Sequence, residues 1–184
     1  MAVTKRSIMR HDVSRKDKLI KRLRYLWSWE LFDSFFIPAV VLFYAIFLRQ
    51  SLGLFTLYST TIVTLILWQG AAYWRLKLRA VQSDAPIGRA YLRRFARLKR
   101  VNWILLVTLP VVLGVEFWAG DGCAFGFNFI AGSSLYVLAF LEQINYYYYQ
   151  LMYDYGPDWR DLIRRRKLKK SSLRRALERL KERE

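Results

Sequence analysis

The chain has 184 residues, 54% hydrophobic and 17% aromatic, with a formal net charge of +17. A single cysteine, Cys123, excludes an internal disulfide, and a single histidine, His11, excludes a histidine-rich metal site. No zinc-ligand spacing, Gly-rich phosphate loop, nucleophile elbow or HExxH pattern is present, so the common sequence signatures of hydrolases and nucleotide enzymes are missing.

The first segment, residues 1–29, is basic. Residues 1–13 are polar and read as irregular. Ser14 followed by Asp17 is an N-cap pattern, so a helix is expected to begin there. On that helix Leu19, Ile20, Leu23, Leu26 and Trp27 share a face, and Lys18, Lys21, Arg22 and Arg24 occupy the rest. That is the arrangement of a helix lying at a membrane surface, with Trp27 and Trp29 at the headgroup boundary. The charged stretch is too long for a cleavable signal and no small-residue cleavage site follows the next apolar run, which is therefore expected to be retained as a span.

Apolar runs cover residues 30–48, 54–74, 101–119 and 127–149. Each approaches the roughly 20 residues that a helix needs to cross the hydrocarbon core. Pro38 and Pro110 fall inside the first and third, where kinks are expected. Arg49 to Gly53 is a short turn, so the second run should return beside the first. Residues 75–100 form a basic connector that turns at Ser83-Asp84-Ala85-Pro86, with Pro86 expected to open the next helix. The link from Gly120 to Gly126 is rich in glycine and carries no cation. After Gly156-Pro157, residues 156–184 are again basic: Asp158 caps a short segment, and a last helix with an apolar stripe of Leu173, Ala176, Leu177 and Leu180 follows Ser171 or Ser172.

All but one of the 31 Lys and Arg residues lie within 1–26, 75–100 and 160–184; the exception is Arg49. By the positive-inside rule all three blocks are expected in the cytoplasm. The fold class is then all-α: a polytopic protein of the cytoplasmic (inner) membrane, with four transmembrane helices as two antiparallel hairpins, basic amphipathic cytoplasmic helices, and both termini inside.

A shift of 72 residues places Lys21-Arg22 on Arg93-Arg94 and Pro38 on Pro110; two residues more place Gln69 on Gln143 and Tyr73 on Tyr147. The halves then read as parallel repeats. Shared membrane constraints produce a similar echo without duplication.

An ionisable side chain at the centre of a span costs about 2.5–3.5 kcal/mol, which directs attention to Glu30, Asp33, Glu116 and Glu142. Glu142, Asn145 and Tyr149 share a helical face, and Asp33, Gln69 and Tyr73 sit at matching depth. An intramembrane polar cluster of Asp33, Gln69, Tyr73, Glu142 and Asn145 is expected, either as interhelical glue or as a site for an ion, proton or headgroup. Glu30 and Glu116 read as interfacial residues in reach of water, and Tyr146 to Tyr149 mainly as an aromatic belt.

Lys21, Arg22, Arg93, Arg94, Arg164, Arg165, Arg166 and Lys167 are the expected contacts to lipid or a partner. Anionic lipid leads among partners and nucleic acid follows it. No resident metal is implied, no catalytic residue stands out, and the sequence specifies no cofactor. Three functions compete: a non-enzymatic subunit or assembly partner in a membrane complex, homo- or hetero-oligomeric; a homo-oligomeric channel or transporter with Glu142 near the path; and a lipid-headgroup enzyme that would need Asp33 and Glu142 as a metal-binding pair.

Overall fold

A computed structural model describes residues 2–119, 126–151 and 168–182, with side-chain surroundings described from Arg15 onward. Five helices occupy the described residues: α1 (Ala2–Phe47), α2 (Leu54–Gln82), α3 (Arg89–Trp118), α4 (Phe127–Tyr147) and α5 (Ser172–Lys181). The first four are long and apolar enough to cross a membrane, the candidate part of α1 being Arg15–Phe47. With 29 residues, α2 is about 44 Å long at 1.5 Å per residue, well beyond a hydrocarbon core of roughly 30 Å. Its last turns, with Arg75, Lys77 and Arg79, therefore extend beyond the apolar part.

Two expected boundaries differ. No separate basic helix starts after Ser14: α1 runs without interruption from Ala2 through Pro38. Residues 2–37 contain neither glycine nor proline, so nothing in the backbone chemistry favours a break there. Pro86 does not open α3, which begins at Arg89 after an extended Gly88. The turn before it is set by the end of α2, where Asp84 takes a positive φ of 50° and the Ala85 amide donates back to the Ala80 carbonyl at 3.1 Å. This is a Schellman-type ending with aspartate in place of glycine.

Helix α2 is the hub. It packs extensively against α1 and α4 and also against α3, whereas α3 and α4 touch each other far less. Its buried face carries Phe55, Ser59, Ile62, Val63, Ile66 and Gly70, where small residues let backbones approach. The unequal pairing sets the two halves apart: α1 leans on α2 much more than α3 leans on α4. Phe43, Phe47, Val107 and Ile130 point outward in numbers that a water-exposed surface does not tolerate.

Close approach of α4 to α2 depends on Gly132, where an added Cβ would collide with the Phe55 ring, whereas a Cβ at Gly114 would meet nothing within 4 Å. Gly132→Ala is expected to cost about 1–3 kcal/mol through overpacking. Gly114→Ala should be neutral or slightly stabilising. Thermal unfolding of the two variants in one detergent checks the contrast.

Helix α5 docks on α3 and α4. Ser171 caps it by accepting from the Arg174 amide at 3.1 Å, and Leu173 and Leu180 are buried. The strand-like stretch before it is tied to the end of α4: the Gln150 amide donates to the Lys169 carbonyl at 2.9 Å and the Ser171 amide to the Tyr148 carbonyl at 3.1 Å.

Candidate functional site

Polar side chains gather at three levels of the bundle. At the end away from α5, the N-terminus of α2 has no side-chain cap of its own, and neighbouring helices supply one. The Phe55 amide donates to Glu116 at 2.6 Å and the Gly53 amide to Asn128 Oδ1 at 2.9 Å. Asn128 Nδ2 returns a bond to the Ser51 carbonyl at 2.9 Å, and the Thr56 hydroxyl donates to the Asn128 carbonyl at 2.8 Å. The expectation that Glu116 reaches water is corrected: it is 6% exposed, because the orphan amides of α2 provide what water would have provided. A carboxylate at a helix N-terminus also gains from the helix dipole.

Toward the basic end lies an amide network. Gln69 and Asn102 exchange two hydrogen bonds of 2.9 Å each. Asn102 Nδ2 also donates to Gln143 Oε1 at 2.9 Å, and the Tyr147 hydroxyl donates to Gln69 Oε1 at 2.8 Å. Gln143 Nε2 reaches the Lys99 carbonyl at 3.3 Å. The network joins α2, α3 and α4. Its members satisfy one another, which is the chemistry of register-fixing glue.

The third level is a cavity of about 170 Å³ between α1, the ends of α2 and α4, and the start of α5. Its walls include Leu19, Leu23 and Leu26 of α1; Arg22, Lys77, Lys169 and Arg175 bring four cations to it; and Glu30, Trp74 and Tyr146 also line it. Lys77 donates to the Ser172 hydroxyl, which Tyr73 also contacts at 2.8 Å. Arg175, Arg22 and Lys169 are the like charges that bear on Lys77. Glu30, expected in reach of water, is only 8% exposed because α1 continues past it and packs on α2, with Tyr146 of α4 beside the carboxyl group. No Lys, Arg or His forms an ion pair with it among the described residues. Tyr146 is 4% exposed, and its hydroxyl makes no hydrogen bond of acceptable geometry, although the Glu30 and Glu142 carboxyl groups both act on it.

The residues expected to form one polar cluster are distributed over these levels. Gln69 belongs to the amide network and Tyr73 reaches Ser172 of α5. Glu142 accepts from Asn145 at 3.2 Å and has Asp33 among the charges acting on it, so those three lie together. Asn145 also accepts from the Leu151 amide at 2.9 Å and lines the cavity. Among the described residues no group of three or more His, Cys, Asp or Glu side chains is positioned to hold a metal ion.

The tyrosine run is not mainly a belt. Tyr146 and Tyr147 are interior. The Tyr148 hydroxyl accepts from Trp103 at 2.8 Å with Lys99 over its ring, and Tyr149 lies under Arg174. Tyr148 is half-buried and Tyr149 exposed, so burial is confined to the part of the run inside α4.

Of the expected contacts, Arg22 lines the cavity, while Lys21 and Arg94 are exposed. Arg93 lines a separate, wider hollow of about 860 Å³ between α3 and α5. Beside that hollow, Lys170 and Arg174 hold the Glu178 carboxyl below its usual range. Arg164, Arg165, Arg166 and Lys167, the Asp158 cap and the Gly156-Pro157 stop lie outside the described residues, as does the Gly120–Phe125 part of the link after α3.

Sequence reasoning passed over Lys77 and Arg175, which look like ordinary members of basic stretches until the fold brings them together, and read Ser171 and Ser172 only as the start of a helix. Asn128 and Gln143 carried a usable signal: each is an amide inside an apolar run. No protein-family model matches this chain, and no curated protein or solved structure is significantly similar to it.

Proposed function

We propose that this protein is a non-enzymatic subunit or assembly partner of a membrane complex that holds phosphate-bearing lipid headgroups at its cytoplasmic face. In this reading the four long helices cross an inner membrane as two antiparallel hairpins, and the basic helical ends and both termini share the cytoplasmic side, where anionic headgroups concentrate. The observation that carries the reading is the convergence of Arg22, Lys77, Lys169 and Arg175 on one cavity at the end of the bundle. Arg175, Arg22 and Lys169 all bear on Lys77 as like charges, and a phosphate bound beside Lys77 relieves that repulsion. The N-terminus of α5, whose Ser171 and Ser172 line the same cavity, adds its partial positive charge.

Equilibrium binding of a short-chain phosphatidylglycerol to the full chain in neutral detergent tests this. At about 1 kcal/mol per cation, Arg22→Gln/Lys77→Gln/Arg175→Gln should weaken binding about a hundredfold. Lys21→Gln/Arg94→Gln, which removes exposed cations outside the cavity, should bind within a few-fold of the parent. Equal weakening by the two variants would reduce the interaction to nonspecific surface charge and overturn the proposal.

A further inference from the structure

The cavity is not uniformly basic. Its cations come from the outer part of α1, the end of α2 and the start of α5, whereas Glu30 stands with Tyr146 and Trp74 at the junction of α1, α2 and α4. Glu142 and Asp33 add two further carboxyl groups on the Glu30 side, each close enough to bear on it. A buried carboxyl group without a cationic partner, with two others beside it, is a costly arrangement that a cation relieves. The Tyr146 hydroxyl and the Trp74 indole N–H are both buried beside the Glu30 carboxyl group, and neither makes a hydrogen bond of acceptable geometry. Tyr146 is held there by close packing on α2, since a Cβ at Gly70 would collide with its ring and hydroxyl. The hydroxyl can accept from a ligand N–H, and the indole can donate to a ligand oxygen.

One cavity therefore presents cations at one part and the Glu30 carboxyl group, with the Tyr146 hydroxyl and the Trp74 indole beside it, at another. A ligand bearing a single charge satisfies half of it. We infer that the cavity selects a phosphodiester carrying a primary amine, an aminophospholipid headgroup, with the phosphate among Lys77, Arg22 and Arg175 and the ammonium at Glu30 and Tyr146. This rests on the headgroup reading and adds selectivity to it. The volume of about 170 Å³ amounts to several water molecules, a space suited to a small headgroup. Leu19, Leu23 and Leu26 give the wall an apolar side along which the glycerol end can lie.

The test compares short-chain phosphatidylethanolamine, phosphatidylcholine and phosphatidylglycerol, with soluble O-phosphoethanolamine and inorganic phosphate as further probes, on the full chain in neutral detergent. Wild-type protein should prefer the ethanolamine lipid over both others by about tenfold or more, the scale of a hydrogen bond to a charged group. The trimethylated choline head has no N–H to offer, so this comparison decides the matter without any variant. Glu30→Gln should erase the preference, so that the ethanolamine lipid binds no more tightly than phosphatidylglycerol, whereas Lys77→Gln/Arg175→Gln should weaken all three lipids alike. Equal binding of the three lipids to wild-type protein overturns the amine assignment and leaves the headgroup reading standing. Failure of every lipid to bind overturns both. Soluble O-phosphoethanolamine binding as tightly as the lipid would overturn a lipid source, and inorganic phosphate matching it would overturn the amine contact.

Discussion

Asn102→Leu is expected to destabilise the protein by about 2–4 kcal/mol, the range for stranding two or more buried polar groups. Asn102 is 1% exposed and, among the described residues, is the only one bonded to both glutamines: it exchanges two bonds with Gln69 and donates to Gln143. Leucine fills similar space and carries no polar atom. Gln69 Nε2 then loses its acceptor and Gln143 Oε1 its donor, in an interior where neither is replaced by water. Part of the network survives, since Tyr147 still donates to Gln69 and Gln143 still reaches the Lys99 carbonyl. The discriminating comparison is the triple variant Gln69→Leu/Asn102→Leu/Gln143→Leu. Removing all three amides strands only the Tyr147 hydroxyl, so it should unfold less readily than Asn102→Leu alone. Equilibrium unfolding in mixed detergent–SDS micelles gives both values, and the triple variant proving the less stable would refute the account of the network as mutually satisfied glue.

The second large effect is expected at Glu116. Glu116→Ala removes the acceptor of the Phe55 amide and a negative charge from the N-terminus of α2. Loss of a cap costs about 1 kcal/mol, and a stranded buried amide adds about 1–3 kcal/mol. Together they place the cost at about 2–4 kcal/mol. Glu116→Gln keeps an acceptor of nearly the same reach and should recover at least half of it. Because Asn128 and Glu116 serve neighbouring amides of one helix end, Glu116→Ala with Asn128→Ala should fall short of the sum of the single effects. The same unfolding assay measures this.

These two sites also show what the sequence displayed and what it withheld. The four long helices were legible because apolar runs of that length have few alternatives. Their inner faces were not, because a run that is apolar almost all round gives no phase. Glu142 drew attention for its charge, yet the fully buried residue is its neighbour Gln143, at 0% exposure, one step of about 100° around the helix. Glu116 looked interfacial from its place near the end of a run. What buries it is the start of a different helix, α2, whose orphan amides are invisible in the local sequence around residue 116. The cavity was the least legible feature. Arg22, Lys77 and Arg175 come from three separate blocks, and only the docking of α5 against the ends of α3 and α4 makes them neighbours. That docking depends on the Ser171 cap, which was readable, and on backbone pairing of residues 168–171 with 148–150, which was not.

The headgroup account requires the three basic blocks, and with them the cavity, to share the cytoplasmic side. Cys123 lies between α3 and α4 and is the one cysteine of the chain, so it reports on the opposite side without any engineering. In intact cells a membrane-impermeant maleimide should label wild-type protein at Cys123. The variant Cys123→Ser/Ser83→Cys, whose new thiol stands in the α2–α3 turn, should be labelled only after permeabilisation. The reverse pattern, with position 83 reached from outside and Cys123 protected, would contradict the account.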